Sequence, residues 1–336
     1  MKNKKIRSIL SFIVLLIVTI IVLYLSLKDD YETIIQQILN MNLFWLLASL
    51  SLVGLYWFFR AVTVTKLACH FQSDYSIKKA MRLVVETNFF HAVTPFSSGG
   101  QPYEIYSLNK CHIRVTEATN VSIQNFIVYQ IALVLLGIVS LIVNHFCHLF
   151  TSSIMLQKLV ALGFTINTFV IIILFLVTFG RKLNRKIIDG FIHFLYKVKI
   201  VKDEYKLLQK ADSYLSEFHQ GAKLLLKNKG EFLFLIIIQL ISLCCLYLVP
   251  LFLLYGMGDY SSFTVIESIV ASAYVMLIGS FVPIPGGTGG LEYGFIVFYG
   301  NFIVGSSLRA IMLLWRFVTY YFGMIVGAIV LNIRKK

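Results

Sequence analysis

Six apolar stretches, near residues 8–28, 43–66, 121–144, 158–179, 231–255 and 307–332, each run for about 20 residues or more, the length a helix needs to cross a hydrocarbon core of about 30 Å. A chain built from them has few folds open to it. Backbone groups inside a bilayer find no water, and a helix satisfies them within one segment. The chain has 336 residues, 58% of them hydrophobic, against about 45–50% for a soluble domain. The expected class is an all-α, polytopic integral membrane protein. The first stretch follows Lys2, Lys4, Lys5 and Arg7. Its apolar core is longer than that of a secretory signal and no small-residue cleavage site follows, so an uncleaved first span is expected.

Two regions depart from this pattern. In 83–109, the polar residues Glu86, Thr87, Asn88, His91 and Thr94 precede Pro95-Phe96-Ser97-Ser98-Gly99-Gly100-Gln101-Pro102-Tyr103-Glu104. In 265–303, Glu267 precedes Pro283-Ile284-Pro285-Gly286-Gly287-Thr288-Gly289-Gly290-Leu291-Glu292. Aligning Pro95 with Pro283 also aligns Gly99 with Gly287 and Glu104 with Glu292. Helix breakers beside carboxylates are costly in a bilayer, and breaks at corresponding places in two halves of a membrane protein point to a transport site. Each region is expected to be a re-entrant, broken-helix hairpin within a single transmembrane domain spanning 1–336.

Charge sets the expected orientation. The net charge of +14 is concentrated. Twelve Lys/Arg and five Asp/Glu lie between Arg181 and Gly230, and the chain ends Arg334-Lys335-Lys336. By the excess of positive charge on cytoplasmic loops, both termini and the long basic segment face the cytoplasm. The first hairpin then opens inward and the second outward, as an inverted repeat requires. Segregation of this kind argues against a nucleic-acid partner. In 181–230, Phe191, Phe194, Leu195 and Val198 recur at helical spacing, as do Leu207, Leu208, Leu215 and Phe218. Amphipathic helices resting on the inner leaflet are expected, with a solvated connector as the plainer alternative.

Candidate chemistry is sparse. Cys69, Cys111, Cys147, Cys244 and Cys245 form no C-x-x-C pair, and His145 with His148 lacks a third ligand. No metal is expected. No Gly-Lys-Ser/Thr follows the glycines, so no nucleotide and no other cofactor is implied. Arg60 and Arg316 stand inside expected spans. Arg60 is about 9 Å from the end of its helix and could snorkel, whereas Arg316 is about 27 Å from the cytoplasmic end and needs a partner. Guanidinium grips phosphate in two places. Glu104 and Glu292 could balance these arginines, meet a cationic head group, or simply cap broken helices. Gly99, Gly100, Gly286, Gly287 and Gly289 permit tight turns whose amides could meet an anion, or close helix packing.

These residues carry a family resemblance. Arg60 in the second span, Pro95 with Gly99-Gly100, Pro285-Gly286-Gly287-Thr288-Gly289 leading to Glu292, and Leu314-Trp315-Arg316 resemble the membrane region of lysylphosphatidylglycerol synthases (the multiple peptide resistance factors) and their stand-alone flippase-like relatives. The resemblance extends over nearly the whole chain. Many relatives place an acidic residue directly after the first glycine pair and an arginine shortly beyond, where this chain has Gln101 and Glu104. The resemblance implies a flippase of the bacterial plasma membrane that moves an aminoacylated phospholipid, of lysylphosphatidylglycerol type, to the outer leaflet and so lowers sensitivity to cationic antimicrobial peptides. Its expected partner is a membrane phospholipid, bound by Arg60, Pro95, Gly99, Gly100, Gln101, Glu104, Pro285, Gly286, Gly287, Gly289, Glu292 and Arg316. The synthases add a soluble domain that transfers the aminoacyl group from tRNA. No such segment follows Arg334, so no transferase activity is expected of this chain alone. Two other readings stay open: the membrane subunit of a phosphatidylglycerol lysyltransferase that pairs with a separate aminoacyltransferase, and a transporter of a polyprenyl-phosphate lipid. Homo-oligomerisation is left open by the sequence.

Overall fold

The computed structural model describes residues 31–150, 154–198, 203–279 and 282–333. The described residues are all-helical, and the stretch 8–28 expected to form the first span lies outside them. Among the described residues, five helices are long and apolar enough to cross a membrane: Leu43–Cys69, Val115–Cys147, Lys158–Phe179, Lys229–Gly256 and Gly305–Ile333. Each coincides with an expected span; Lys158–Phe179 matches it at both ends and the other four extend it at one or both ends.

Helix α1 (Tyr31–Leu39) leads into α2 (Leu43–Cys69), whose start is capped by Asn42 Oδ1 accepting the Phe44 amide at 2.9 Å. The first hairpin is α3 (Ile77–Val93), a short turn at Pro95–Ser97, and α4 (Gly100–Lys110). It starts earlier than expected, because Ser76 caps α3 and draws Lys78, Lys79 and Arg82 into the helix. Long helices α5 (Val115–Cys147) and α6 (Ile154–Phe179) follow. The basic segment folds as α7 (Arg181–Lys197) and α8 (Glu204–Lys227). Helix α8 lies against α5, where Thr116 Oγ1 donates to Glu217 at 3.0 Å and Gln124 Nε2 to the Gly221 carbonyl at 3.2 Å. Helix α7 leaves Leu183, Ile187, Phe191 and Phe194 exposed on one face.

The fourth long span is two coaxial pieces, α9 (Lys229–Tyr247) and α10 (Val249–Gly256), divided at Leu248 just ahead of Pro250, which cannot donate to the helical ladder. The second hairpin is α11 (Val265–Gly279), a turn at Pro285–Gly287, and α12 (Gly290–Tyr299). Helices α13 (Gly305–Arg316) and α14 (Phe322–Ile333) close the chain, joined by a wider π-type turn over Phe317–Tyr321.

Packing brings the two halves together. Helix α9 runs along α2, and α14 runs along α3. Small residues allow the closest approaches, as is usual between membrane helices. An added Cβ at Gly327 would stand 2.7 Å from the Val85 carbonyl oxygen, and one at Gly163 only 2.5 Å from that of Leu277. The hairpins meet at their tips, Pro95–Ser97 against Pro285–Gly287.

The tips also correct the expected register of the repeat. Pro95 starts the first turn and Pro285 the second. Gly99 and Gly289 precede the outgoing helices, which begin at Gly100 and Gly290. Tyr103 and Tyr293, then Ile113 and Ile303, keep the same spacing, and the next helices start at Val115 and Gly305. Pro95 therefore matches Pro285, two positions beyond the expected Pro283. In this register Glu104 falls on Gly294, and Glu292 falls on Pro102. The two acids are not equivalents, which is why their surroundings differ.

Candidate functional site

Proline sets each tip. The residue before a proline avoids the helical region, and Thr94 (φ −119°, ψ 144°) and Ile284 (φ −94°, ψ 143°) are both extended. The chain must then reverse. At the second tip Gly286 and Gly287 take φ of 65° and 63°, which glycine tolerates. At the first, Phe96 and Ser97 hold φ of 52° and 53°, an uncommon region for side-chain-bearing residues. His91 supports that turn, its Nδ1 2.5 Å from the Ser97 carbonyl oxygen. Thr94 Oγ1 accepts the Gly99 amide at 2.8 Å. The arms of the first hairpin are clamped by Glu86, which accepts from Arg82 Nε at 2.9 Å and from the Tyr103 hydroxyl at 2.6 Å.

Tyr320, in the π-type turn, joins the tips. Its hydroxyl donates to the Ala92 carbonyl at 2.9 Å, and its ring lies where a Cβ on Gly286 would sit, 2.3 Å away. The same ring faces the Arg316 guanidinium at 4.6 Å.

Arg316 is buried, at 4% exposure, and so is Glu292, at 6%. Arg316 Nε stands 2.7 Å from Glu292 Oε1. Its Nη1 donates to the Gly286 carbonyl at 3.1 Å and its Nη2 to Thr288 Oγ1 at 3.2 Å. Glu292 Oε2 accepts the Gly289 amide at 2.6 Å. These bonds tie the second tip to the last span.

Between the tips and α2, α5 and α9 lies a cavity of about 680 Å³, within the usual range for small-molecule sites of about 300–1,000 Å³. Arg60 faces it from α2. Its Nη1 donates to the Tyr56 hydroxyl at 3.3 Å, and the Tyr56 and Tyr129 rings lie 5.6 Å and 5.9 Å from the guanidinium carbon. No described carboxylate comes within 4.0 Å of it. Glu104 lines the same cavity from α4. Its oxygens accept from Ser122 Oγ at 2.9 Å and Asn125 Nδ2 at 3.0 Å, both on α5. The site is thus a polar chamber inside a helical membrane bundle, with one arginine open to it and one locked in the wall.

Comparison with known proteins agrees with this architecture. The family described as the lysylphosphatidylglycerol synthase TM region matches residues 11–327. The chain belongs to that family. A similar protein is a UPF0104 membrane protein of Archaeoglobus fulgidus, 24% identical over 287 residues, which cover 82% of each chain. An all-helical, multi-pass membrane protein of the lysylphosphatidylglycerol synthase type is therefore established for this chain.

The expected site residues divide between wall and scaffold. Arg60, Gln101, Glu104, Gly286, Gly287 and Arg316 line the cavity. Pro95, Gly99, Gly100, Pro285, Gly289 and Glu292 do not line it; they shape the tips. Gly100 is one example, since a Cβ there would stand 2.0 Å from the His91 ring. Arg60 does not snorkel to the membrane edge but turns into the chamber. Asn88, His91, Asn125, Tyr129 and Tyr247 also line it. Asn125 belongs to a polar run with Ser122, Gln124 and Gln130 inside an apolar helix. That run was the readable signal, because polar residues within a span face the bundle interior or a cavity. Nothing in the sequence distinguishes Tyr247 from tyrosines of the interfacial belts.

Proposed function

We propose that this chain carries phospholipid head groups between the leaflets of the bacterial plasma membrane, through the chamber between the hairpin tips, while the acyl tails remain in lipid. The observation that supports this reading is Arg60. A guanidinium within a span costs several kcal/mol unless paired or hydrated, and this one faces a cavity with no carboxylate of the described residues in contact. A phosphate oxygen pair suits its planar fork. In this reading the first hairpin enters from the cytoplasm and the second from outside, with both termini and the basic α7 and α8 on the inner face. Transport runs outward, and an aminoacylated phospholipid is among the substrates to which the family's name points.

The test is a leaflet-exposure assay. The purified chain is reconstituted into vesicles containing acyl-chain NBD-labelled phosphatidylglycerol, and dithionite reports label reaching the outer leaflet. Exposure faster than in protein-free vesicles, lowered about tenfold or more by Arg60→Met, supports the proposal. A rate equal to that of empty vesicles for this and for the other labelled phospholipids tested below, or rates unchanged by Arg60→Met, overturns it.

A further inference from the structure

Two opposite charges that face one cavity without touching make a built-in dipole. Arg60 and Glu104 are such a pair. Both line the chamber, and they are more than 4.0 Å apart. Glu104 rests on two neutral donors, Ser122 and Asn125, and a carboxylate that accepts two hydrogen bonds keeps about half of its lone-pair sites open.

Three polar groups around the chamber lack acceptors. Asn88 Nδ2, Arg60 Nε and the Tyr247 hydroxyl are all buried without a hydrogen-bond partner, and Tyr247 is 1% exposed. Buried donors without acceptors are rare because each forfeits its bonds to water. The three sit on α2, α3 and α9, around one side of the cavity. The other charged pair is engaged within the protein, since Arg316 and Glu292 are closed on each other and on the second tip.

We propose that the chamber is a two-part site for a net-neutral, zwitterionic phospholipid head group, with the phosphodiester on Arg60, Asn88 and Tyr247 and a primary ammonium on Glu104. This rests on the head-group passage proposed above and names the class of lipid that passes. Phosphate oxygens supply the acceptors that the three donors lack. The ammonium supplies the cation that Glu104 lacks, and its N–H groups reach the open lone pairs. A low-dielectric chamber penalises net charge, and a zwitterion brings none. A purely acidic head group leaves Glu104 without a cation. A head group with a second positive charge, such as a lysyl ester, is carried less well, because Glu292 is held by Arg316 and offers no second carboxylate. A quaternary ammonium has no N–H to donate.

Three acyl-chain NBD-labelled lipids test this in the dithionite assay, each at trace level in otherwise identical vesicles: phosphatidylethanolamine, phosphatidylcholine and phosphatidylglycerol. Phosphatidylethanolamine is expected to move about tenfold faster than either of the others, the equivalent of about 1.4 kcal/mol. Glu104→Gln is expected to erase that preference by slowing phosphatidylethanolamine toward the rate of the other two lipids. Tyr247→Phe and Asn88→Leu, which remove donors without charge, are expected to slow all three lipids alike. If phosphatidylglycerol keeps pace with phosphatidylethanolamine, or Glu104→Gln retains the preference, the two-part site is refuted and head-group passage stands. If no lipid moves faster than in empty vesicles, the transport reading beneath it fails as well.

Discussion

Breaking the Arg316–Glu292 pair should destabilise the protein more than removing it whole. Arg316→Met keeps an apolar stem but leaves Glu292 buried beside the Gly289 amide. Glu292→Leu leaves Arg316 with the Gly286 carbonyl and Thr288 hydroxyl as hydrogen-bond acceptors and the Tyr320 ring over its guanidinium, but with no counter-charge in contact among the described residues. A buried charge stripped of its partner costs about 3–5 kcal/mol. The double variant leaves no buried charge. What remains is the loss of hydrogen bonds at Gly286, Thr288 and Gly289, about 1–3 kcal/mol in all if the second tip relaxes. The double variant should therefore lie about 2 kcal/mol above either single one. Detergent-solubilised protein can be melted while following tryptophan emission, since Trp315 lies beside Arg316, its ring 6.0 Å from the guanidinium carbon. Unfolding of such proteins is often irreversible, so the rank order of midpoints is the readout. The predicted order is wild type, then the double variant, then both single variants. Additive losses, with the double variant lowest, would show that the two side chains are solvated separately and refute the reasoning.

Close helix contact makes a second prediction. Gly163→Ala should lower the melting midpoint because its Cβ meets a main-chain oxygen at 2.5 Å, whereas Gly54→Ala, with nothing within 4 Å, should be neutral or stabilising by up to about 1 kcal/mol. Gly286→Ala, strained at φ 65° and crowded by Tyr320, should part the tips and raise hydrogen exchange across residues 94–100, while unchanged exchange there would count against tip-to-tip packing. In the loop before α11, hydrogen bonds from the Ser262 hydroxyl and the Ser261 amide hold the Asp259 carboxyl below its ordinary value of 3.8. That contribution is present above the ordinary value and is lost as pH falls through the lowered one. Loop exchange at 257–264 should stay slow at pH 5 and rise only in stronger acid, and Asp259→Asn should shift that response.

The span pattern was legible because length and hydropathy alone decide it: five of the expected helices are found, and the basic segment forms two helices as its spacing suggested. The hairpins were legible from Pro95 and Pro285, which cannot continue a helix. Their register was not. Pro283 and Pro285 compete for alignment with Pro95, and only the backbone turn, with positive φ at the two positions after Pro95 and Pro285, decides between them. The arginines were seen, with Glu104 and Glu292 as candidate counter-charges, but which carboxylate meets which arginine was not legible. Whether Arg60 or Arg316 meets a carboxylate depends on which helices touch, and Glu292 lies far from Arg316 in sequence. Asn88 stood out as a polar residue of the first broken region, but that it and Tyr247 carry polar atoms without partners appeared only in three dimensions.

The central claim is that Arg60 faces a chamber that receives a lipid phosphate. Cryo-electron microscopy of the protein in nanodiscs containing phosphatidylethanolamine and phosphatidylglycerol tests it most directly. The account predicts head-group density in the chamber, with a phosphate against Arg60 and the tips meeting at Tyr320. A lipid-free chamber in which Arg60 has swung into contact with Glu104 would contradict it.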